Sequence, residues 1–316
     1  MSHPQHPVPD PLQHAPLAYE DDHFINSPDG RIFRILAEYS EPLARFRKER
    51  VQDTVVFFGS ARFIGMDAAE DQMRLLENTG SAKLAPEEEQ PDFDGEETSE
   101  LKKKRTEAAI EMARYYEDAR TLAHMMATWA MKLPGRRNRF VVTSGGGPGI
   151  MEAANRGATE AGAKTIGLNI ALPFEQLPNP WITPELNFQF HYFFMRKYWF
   201  AYLAKALVVF PGGFGTLDEM FELLTLAQTR KLAKQITVVI YGREYWSQVI
   251  NLDVLVDKGA IAVKDRDLFQ FADTPEEAFH LLVEGLTKNH LQPQAEPATP
   301  PSVEDFVGPD IAKTRG

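Results

Sequence analysis

The residues best placed to do chemistry in this chain fall within Ala206–Gln228, which reads ALVVFPGGFGTLDEMFELLTLAQ. Ala206–Phe210 is a short apolar run of strand type. Pro211-Gly212-Gly213-Phe214-Gly215 is a turn with three glycines, and Thr216-Leu217-Asp218-Glu219 opens an amphipathic helix. A strand that feeds a glycine turn and a helix start makes an anion site. Bare backbone N–H groups and the positive end of the helix point at one spot, and glycine lets a phosphate come close. Asp218 and Glu219 read as part of the same first turn. Two carboxylates add nothing to phosphate binding, so they point to a sugar or a water handled beside the phosphate.

A second glycine turn lies upstream. Phe140–Thr143 is strand-like and leads into Ser144-Gly145-Gly146-Gly147-Pro148-Gly149-Ile150-Met151-Glu152, where Pro148 suits the first turn of a helix. One such turn often only tightens a strand–helix junction. Two, each after an apolar strand, would both lie at the carboxyl ends of parallel strands, where open α/β sheets bind ligands. Neither turn has the Gly-Lys-Ser/Thr ending of a Walker loop. The run from Gly145 to Ile150 has the wrong spacing for a dinucleotide fingerprint, and the next strand, Thr165–Ile170, ends in Asn169 and Ile170 rather than an acid. NAD is disfavoured, and no cofactor or metal is implied. Between the turns, Phe188–Phe200 is rich in aromatics. If it becomes helical near His191, Arg196 shares a face with Phe193, Trp199, Phe200 and Leu203. Buried there, it needs an anionic partner; the plainer reading is an arginine that snorkels or pairs structurally.

These motifs resemble the LOG-like family of nucleotide-binding Rossmann proteins, often labelled "lysine decarboxylase". The family's GGGxxG-type loop and PGGxGTxxE read here as Gly145–Gly149 and Pro211–Glu219. Its Arg-Lys pair matches Arg196-Lys197, with Pro211 fifteen positions after Arg196. A first-strand Gly-Ser appears as Gly59-Ser60 within Phe58–Arg62. The resemblance spans residues 50–260. It implies a phosphoribohydrolase, which splits a nucleoside 5′-monophosphate into free base and ribose 5-phosphate. Arg196 and Glu219 carry over as the catalytic pair. Gly59, Ser60, Gly145, Gly146, Gly147, Gly149, Glu175, Met195, Lys197, Gly212, Gly213, Gly215, Thr216 and Thr225 carry over as substrate contacts. The resemblance also implies a homodimer or larger homo-oligomer. The short plant-type proteins have Gly where this chain has Glu152. GPGIMEAANRGA with FGSAR looks like a longer bacterial subgroup, for which AMP-like nucleotides rather than cytokinin ribotides are the expected substrates.

At 316 residues, one α/β domain with tails is the natural count, and two small domains are possible. A hydrophobic content of 43% supports a sizeable core, and a net charge of −11 argues against nucleic acid or anionic membrane as a general partner. No cysteine is present, which excludes thiol catalysis and thiolate metal sites and suits a reducing compartment. No stretch approaches membrane-span length and no signal peptide is evident, so the chain reads as cytoplasmic. Residues 1–20 and 291–316 read as disordered tails around a Rossmann-like domain over 21–290; His3, His6 and His14 are solvated tail residues in this reading. Pro86–Glu100 holds eight acids and no base and precedes Lys102–Arg105, marking 86–105 as a charged insertion, either a solvated linker or a lid.

The expected helices are 30–49, 106–132, 148–162, 191–204, 216–229, 244–257 and 275–288. Strands are expected at 53–58, 139–143, 164–170, 206–210, 235–240 and near 268–271. Their alternation predicts a parallel sheet covered on both faces, with its strand order left open. For the reaction, a carboxylate near the anomeric carbon can stabilise an oxocarbenium-like ribosyl cation or take a proton from water, a role that falls to Glu219. Glu175, Glu152, Asp218 or water could protonate the leaving base. Thr216-x-x-Glu219 is also a capping box, and Asp218 could merely favour the helix dipole. The rival from another class is a non-catalytic carrier or sensor of a nucleotide or molybdenum cofactor.

Overall fold

The computed structural model describes residues 15–79, 99–173, 177–229, 231 and 235–292. The expectations placed on residues 1–14, 86–98 and 293–316, and on Glu175, lie outside them. In chain order the elements are α1 (Asp22–Asn26), α2 (Arg31–Lys48), β1 (Thr54–Phe58), α3 (Met66–Thr79), α4 (Ser99–Met131), β2 (Val141–Ser144) and α5 (Ile150–Glu160). There follow β3 (Thr165–Ile170), β4 (Asn187–Phe190), α6 (Phe193–Leu203), β5 (Ala204–Val209) and α7 (Phe214–Gln228). The last are β6 (Thr237–Tyr241), α8 (Arg243–Val249), α9 (Leu252–Asp257), β7 (Gln270–Ala272) and α10 (Pro275–Leu286). The chain divides into two compact units between Leu43 and Ala44. The first carries α1, capped by Asp21 accepting from the Phe24 N–H, and the first part of α2, where Arg34 donates to the carbonyls of Ile25 and Ser27. The second holds the sheet and everything described below.

Among the described residues, seven strands form one parallel sheet in the order β4-β3-β2-β1-β5-β6-β7. The α/β, Rossmann-like expectation is therefore borne out. β1 reads as an unbroken apolar run because both its faces are covered. Val55 and Phe57 join Val142, Val208 and Val239 under α4, α5 and α10, with Leu122, Met126, Ala154 and Leu282 filling that layer. Phe58 turns to the other face, where its ring meets Phe200 at 4.9 Å. Chain order reverses between β1 and β5, so the crevice at their carboxyl ends is the topological switch point.

Several elements differ from expectation. α4 begins at Ser99, so the basic end of the charged insertion is helical, with Lys104 paired to Glu100 at 3.2 Å and Lys103 to Glu107 at 3.9 Å. The amphipathic α3 and the edge strand β4 have no counterpart in the expected series. In β4, Phe188 and Phe190 are buried while Gln189 is exposed, so the start of the aromatic run is a strand and its helix begins at Phe193. The single helix expected over 244–257 is two, parted at Asn251, whose side chain caps α9 by accepting from the Val254 N–H at 3.3 Å.

Candidate functional site

The three strand ends at the switch point are stitched together through Ser60. Its N–H donates to the Pro211 carbonyl at 3.0 Å, and its own carbonyl accepts from the Ile150 N–H at 3.0 Å. Gly59 packs against Ile150 so closely that a Cβ there would overlap its side chain. Gly149 is the N-cap of α5 with φ +70°, and a Cβ would strike the Ser60 carbonyl. Only glycine meets both conditions. α5 therefore starts at Ile150, and Pro148 lies before the cap rather than in the first turn.

A buried amide network that sequence reasoning missed braces the upstream turn. Asn179 donates from Nδ2 to the carbonyls of Gly146 (3.1 Å) and Gly147 (3.0 Å) and to Asn155 Oδ1 (2.9 Å). Asn155 is fully buried; it also accepts from the Ser144 hydroxyl at 2.6 Å and donates to Thr165 Oγ1 at 2.7 Å. Ser144 in turn accepts from the Gly146 N–H at 3.0 Å. An asparagine on the alanine-lined face of a helix was a signal for Asn155. Asn179 had none, because its partners are distant in sequence. The downstream turn has its own brace: the Tyr245 hydroxyl donates to the Gly212 carbonyl at 3.0 Å. Gly213 and Gly215 are open to solvent, while Thr216 packs on Gly212.

Arg196 enters the crevice from α6. A Cβ on Gly145 would lie 2.8 Å from its Nη2 and 2.6 Å from Met151 Sδ, so the glycine makes room for the guanidinium. Arg196 also lies over the Phe200 ring, its Cζ 5.3 Å from the centroid, while Trp199, Phe200 and Leu203 are buried as the helical spacing predicts. Phe193 is exposed instead. The Arg196 Nε is buried and has no hydrogen-bond partner among the described residues, an arrangement that costs free energy unless an acceptor is supplied. Burial pushes the guanidinium pKa down, while Glu219 and Asp218 act against that shift.

Glu219 is only 7% exposed. Burial drives its carboxyl up to about 7, against the pull of Arg196 and Lys197. The capping-box reading of Glu219 is overturned. α7 starts at Phe214 with Gly213 as N-cap and no side-chain cap, so Thr216 is already the third helical residue and neither acid lies in the first turn. Glu219 instead faces inward with Thr216, Met220 and Leu223.

Lys197, one step around α6 from Arg196, is held by Asp218 at 2.8 Å and Glu222 at 3.1 Å. Burial lowers its pKa, but the two carboxylates outweigh that and leave it raised. Thr225 shares the outer stripe of α7 with those acids, beside an open groove of about 310 Å³ lined by Asp218, Phe221, Glu222, Thr225 and Leu226. The structure thus joins Gly59, Ser60, Gly145, Gly149, Gly212, Thr216 and Arg196 around the crevice, with Glu219 facing Arg196 electrostatically. Met195 is buried on α6. Lys197 and Thr225 sit on a neighbouring surface. Of the possible acids for the leaving base, Glu152 accepts from the Tyr116 hydroxyl at 3.0 Å and Asp218 is tied to Lys197.

Comparison with known proteins agrees with the motifs. A family model described as "Possible lysine decarboxylase" matches residues 151–282. Cytokinin riboside 5′-monophosphate phosphoribohydrolase LOG3 of Arabidopsis thaliana is 28% identical over 151 residues, covering 47% of this chain and 68% of that protein. LOG2 of the same plant is 25% identical over 178 residues, covering 55% and 78%. The chain is thus similar to LOG-type proteins. The stretch matched by the family model includes Arg196 and the PGG turn with Glu219, and both plant relatives are named as phosphoribohydrolases. Among solved structures, the Moco carrier protein of Chlamydomonas reinhardtii aligns over 55% of this chain and 89% of its own at 22% identity. Its TM-score of 0.38 is too low to bear on function.

Proposed function

We propose that this LOG-like chain hydrolyses the N-glycosidic bond of nucleoside 5′-monophosphates such as AMP, releasing the free base and ribose 5-phosphate. The observation that carries this reading is the pairing of a buried Arg196 Nε, unpartnered among the described residues, with a buried Glu219, in a crevice built from two glycine turns. A phosphate oxygen would supply the missing acceptor, and the open N–H groups at the start of α7 would take others. The ribose would then lie toward Glu219.

In the reaction, the bond from C1′ to the base nitrogen breaks and a water oxygen bonds to C1′. The departing base gains one proton and the water loses one. Ionised Glu219 would stabilise the positive charge developing on the ribose and accept the water's proton, for which a carboxyl near pH 7 is well matched. Arg196 would hold the phosphate and favour the ionised form of Glu219. Glu152 and Asp218 are already engaged and Glu175 lies outside the described residues, so this scheme takes water as the proton source for the base.

The test is incubation with AMP, GMP, CMP and UMP, and with adenosine, followed by assay of free base. AMP should be cleaved far faster than adenosine, because the 5′-phosphate supplies the binding energy. Equal turnover of the two would refute the phosphate assignment. Tight AMP binding without release of adenine would point to a carrier instead.

Assembly belongs to the same proposal. Phe193, Phe194, Phe214 and Phe221 are exposed on α6 and α7, and Phe214 is 92% exposed. Such an aromatic group beside a site is suited to cover by a second copy of the chain, and a homodimer would place new side chains over the groove beside Thr225.

A further inference from the structure

A second polar pocket lies at the opposite end of the sheet, where β1, β2 and β5 begin. It is a cavity of about 250 Å³ lined by Gln52, Asp53, Arg139, Lys205, Asn289 and His290, among others. Asp53 is 1% exposed and satisfied. It accepts from the Phe140 N–H at 2.6 Å and from Arg139 Nε and Nη2 at 3.2 and 2.8 Å. Arg139 also donates to the His290 carbonyl at 3.3 Å. Asp53 and Arg139 therefore neutralise each other.

Lys205 has no such partner among the described residues. Burial lowers its pKa, Arg139 acts in the same direction, and Asp53 opposes both. His290 Nε2 lies 2.9 Å from the Gln235 carbonyl. A carbonyl can only accept, so Nε2 carries the hydrogen. Burial, together with Lys205, holds this imidazole at about 4, so it is neutral at pH 7. One arginine and one lysine against one aspartate leave the pocket with a charge of +1, on a chain whose net charge is −11.

We infer that this pocket is a second ligand site, binding a small oxyanion, phosphate or carboxylate, through the Lys205 ammonium with the Gln52 and Asn289 amides at its rim. It is separate from the crevice: a five-residue strand spans about 17 Å, too far for one small ligand to bridge. An occupant would touch the starts of the three strands whose other ends carry Ser60, the GGG turn and the PGG turn. The inference does not depend on the proposed reaction.

The test is calorimetric titration of the full chain at pH 7 with pyrophosphate and with citrate at constant ionic strength. It is done in an Arg196→Ala background to remove the anion contact in the crevice. One binding site should remain, and the tighter of the two probes identifies the anion class. Adding Lys205→Met should weaken it by about tenfold or more, the usual worth of a charged hydrogen bond. Lys205→Gln serves as a second variant if the first does not fold, with near-ultraviolet circular dichroism as the folding check. Undiminished binding by the folded double variant would overturn the inference. So would loss of all binding on Arg196→Ala alone, which would place the anion at the glycine turns.

Discussion

Glu219 is where physics and proposed chemistry are most tightly joined. Because its carboxyl titrates at about 7 in the fold against an ordinary 4.5, the folded chain holds that proton more tightly than the unfolded chain. Glu219's contribution to stability is therefore fully present below pH 4.5, is lost as pH rises through about 7, and changes no further above that. Glu219→Gln removes the penalty. The variant should melt higher than the parent at pH 8, by up to about 3 kcal/mol, and level with it at pH 4.5. Turnover of AMP should fall by roughly 10²–10⁴-fold, as for a positioned acid–base group. A Glu219→Gln enzyme with parental turnover would exclude the catalytic role. The parent's kcat/KM should decline as pH drops below about 7, because ionised Glu219 is the active form, and the variant's residual rate should lack that limb.

At the scale of elements, the glycine turns are held by contacts made outside themselves. Asn179 reaches back from the loop before β4 to pin the Gly146 and Gly147 carbonyls. Asn179→Ala should cost about 1–3 kcal/mol, the price of leaving buried acceptors unpaired. By loosening the turn it should raise KM for AMP more than it lowers kcat. Chemical denaturation and steady-state kinetics read the two effects separately. Gly149→Ala should be harsher, since it adds both a strained φ and a collision with the Ser60 carbonyl. Its expected signature is a lower melting temperature together with lost AMP binding.

For the whole molecule, the informative surface is the aromatic group on α6 and α7. Light scattering at micromolar concentration should show a dimer, and Phe214→Ser with Phe194→Ser should shift it toward monomer. A parent that stays monomeric counts against the assembly. Solubility is not the discriminating quantity, because a net charge of −11 keeps either form apart from non-specific contacts. Among the described residues, no helix is long and apolar enough to cross a membrane.

By itself the sequence determined the strand–turn–helix units, because local signals encode them. Apolar runs of strand length, glycine where backbone must approach backbone, and a helical period through Arg196, Trp199, Phe200 and Leu203 are all written within a few residues of one another. That was enough to pick out both turns, Arg196 and Glu219. Strand order was not legible, since it depends on which buried faces meet across long sequence separations. The edge strand β4 was hidden because its aromatics merge into the run that becomes α6. Glu219's role was ambiguous for the same reason: Thr216-x-x-Glu219 fits a cap locally, and only the packing of the PGG turn on Ser60 and Thr216 starts α7 at Phe214 and turns the carboxyl inward. The asparagine network and the Lys205 pocket join segments that the sequence keeps far apart, so only the tertiary structure could assemble them.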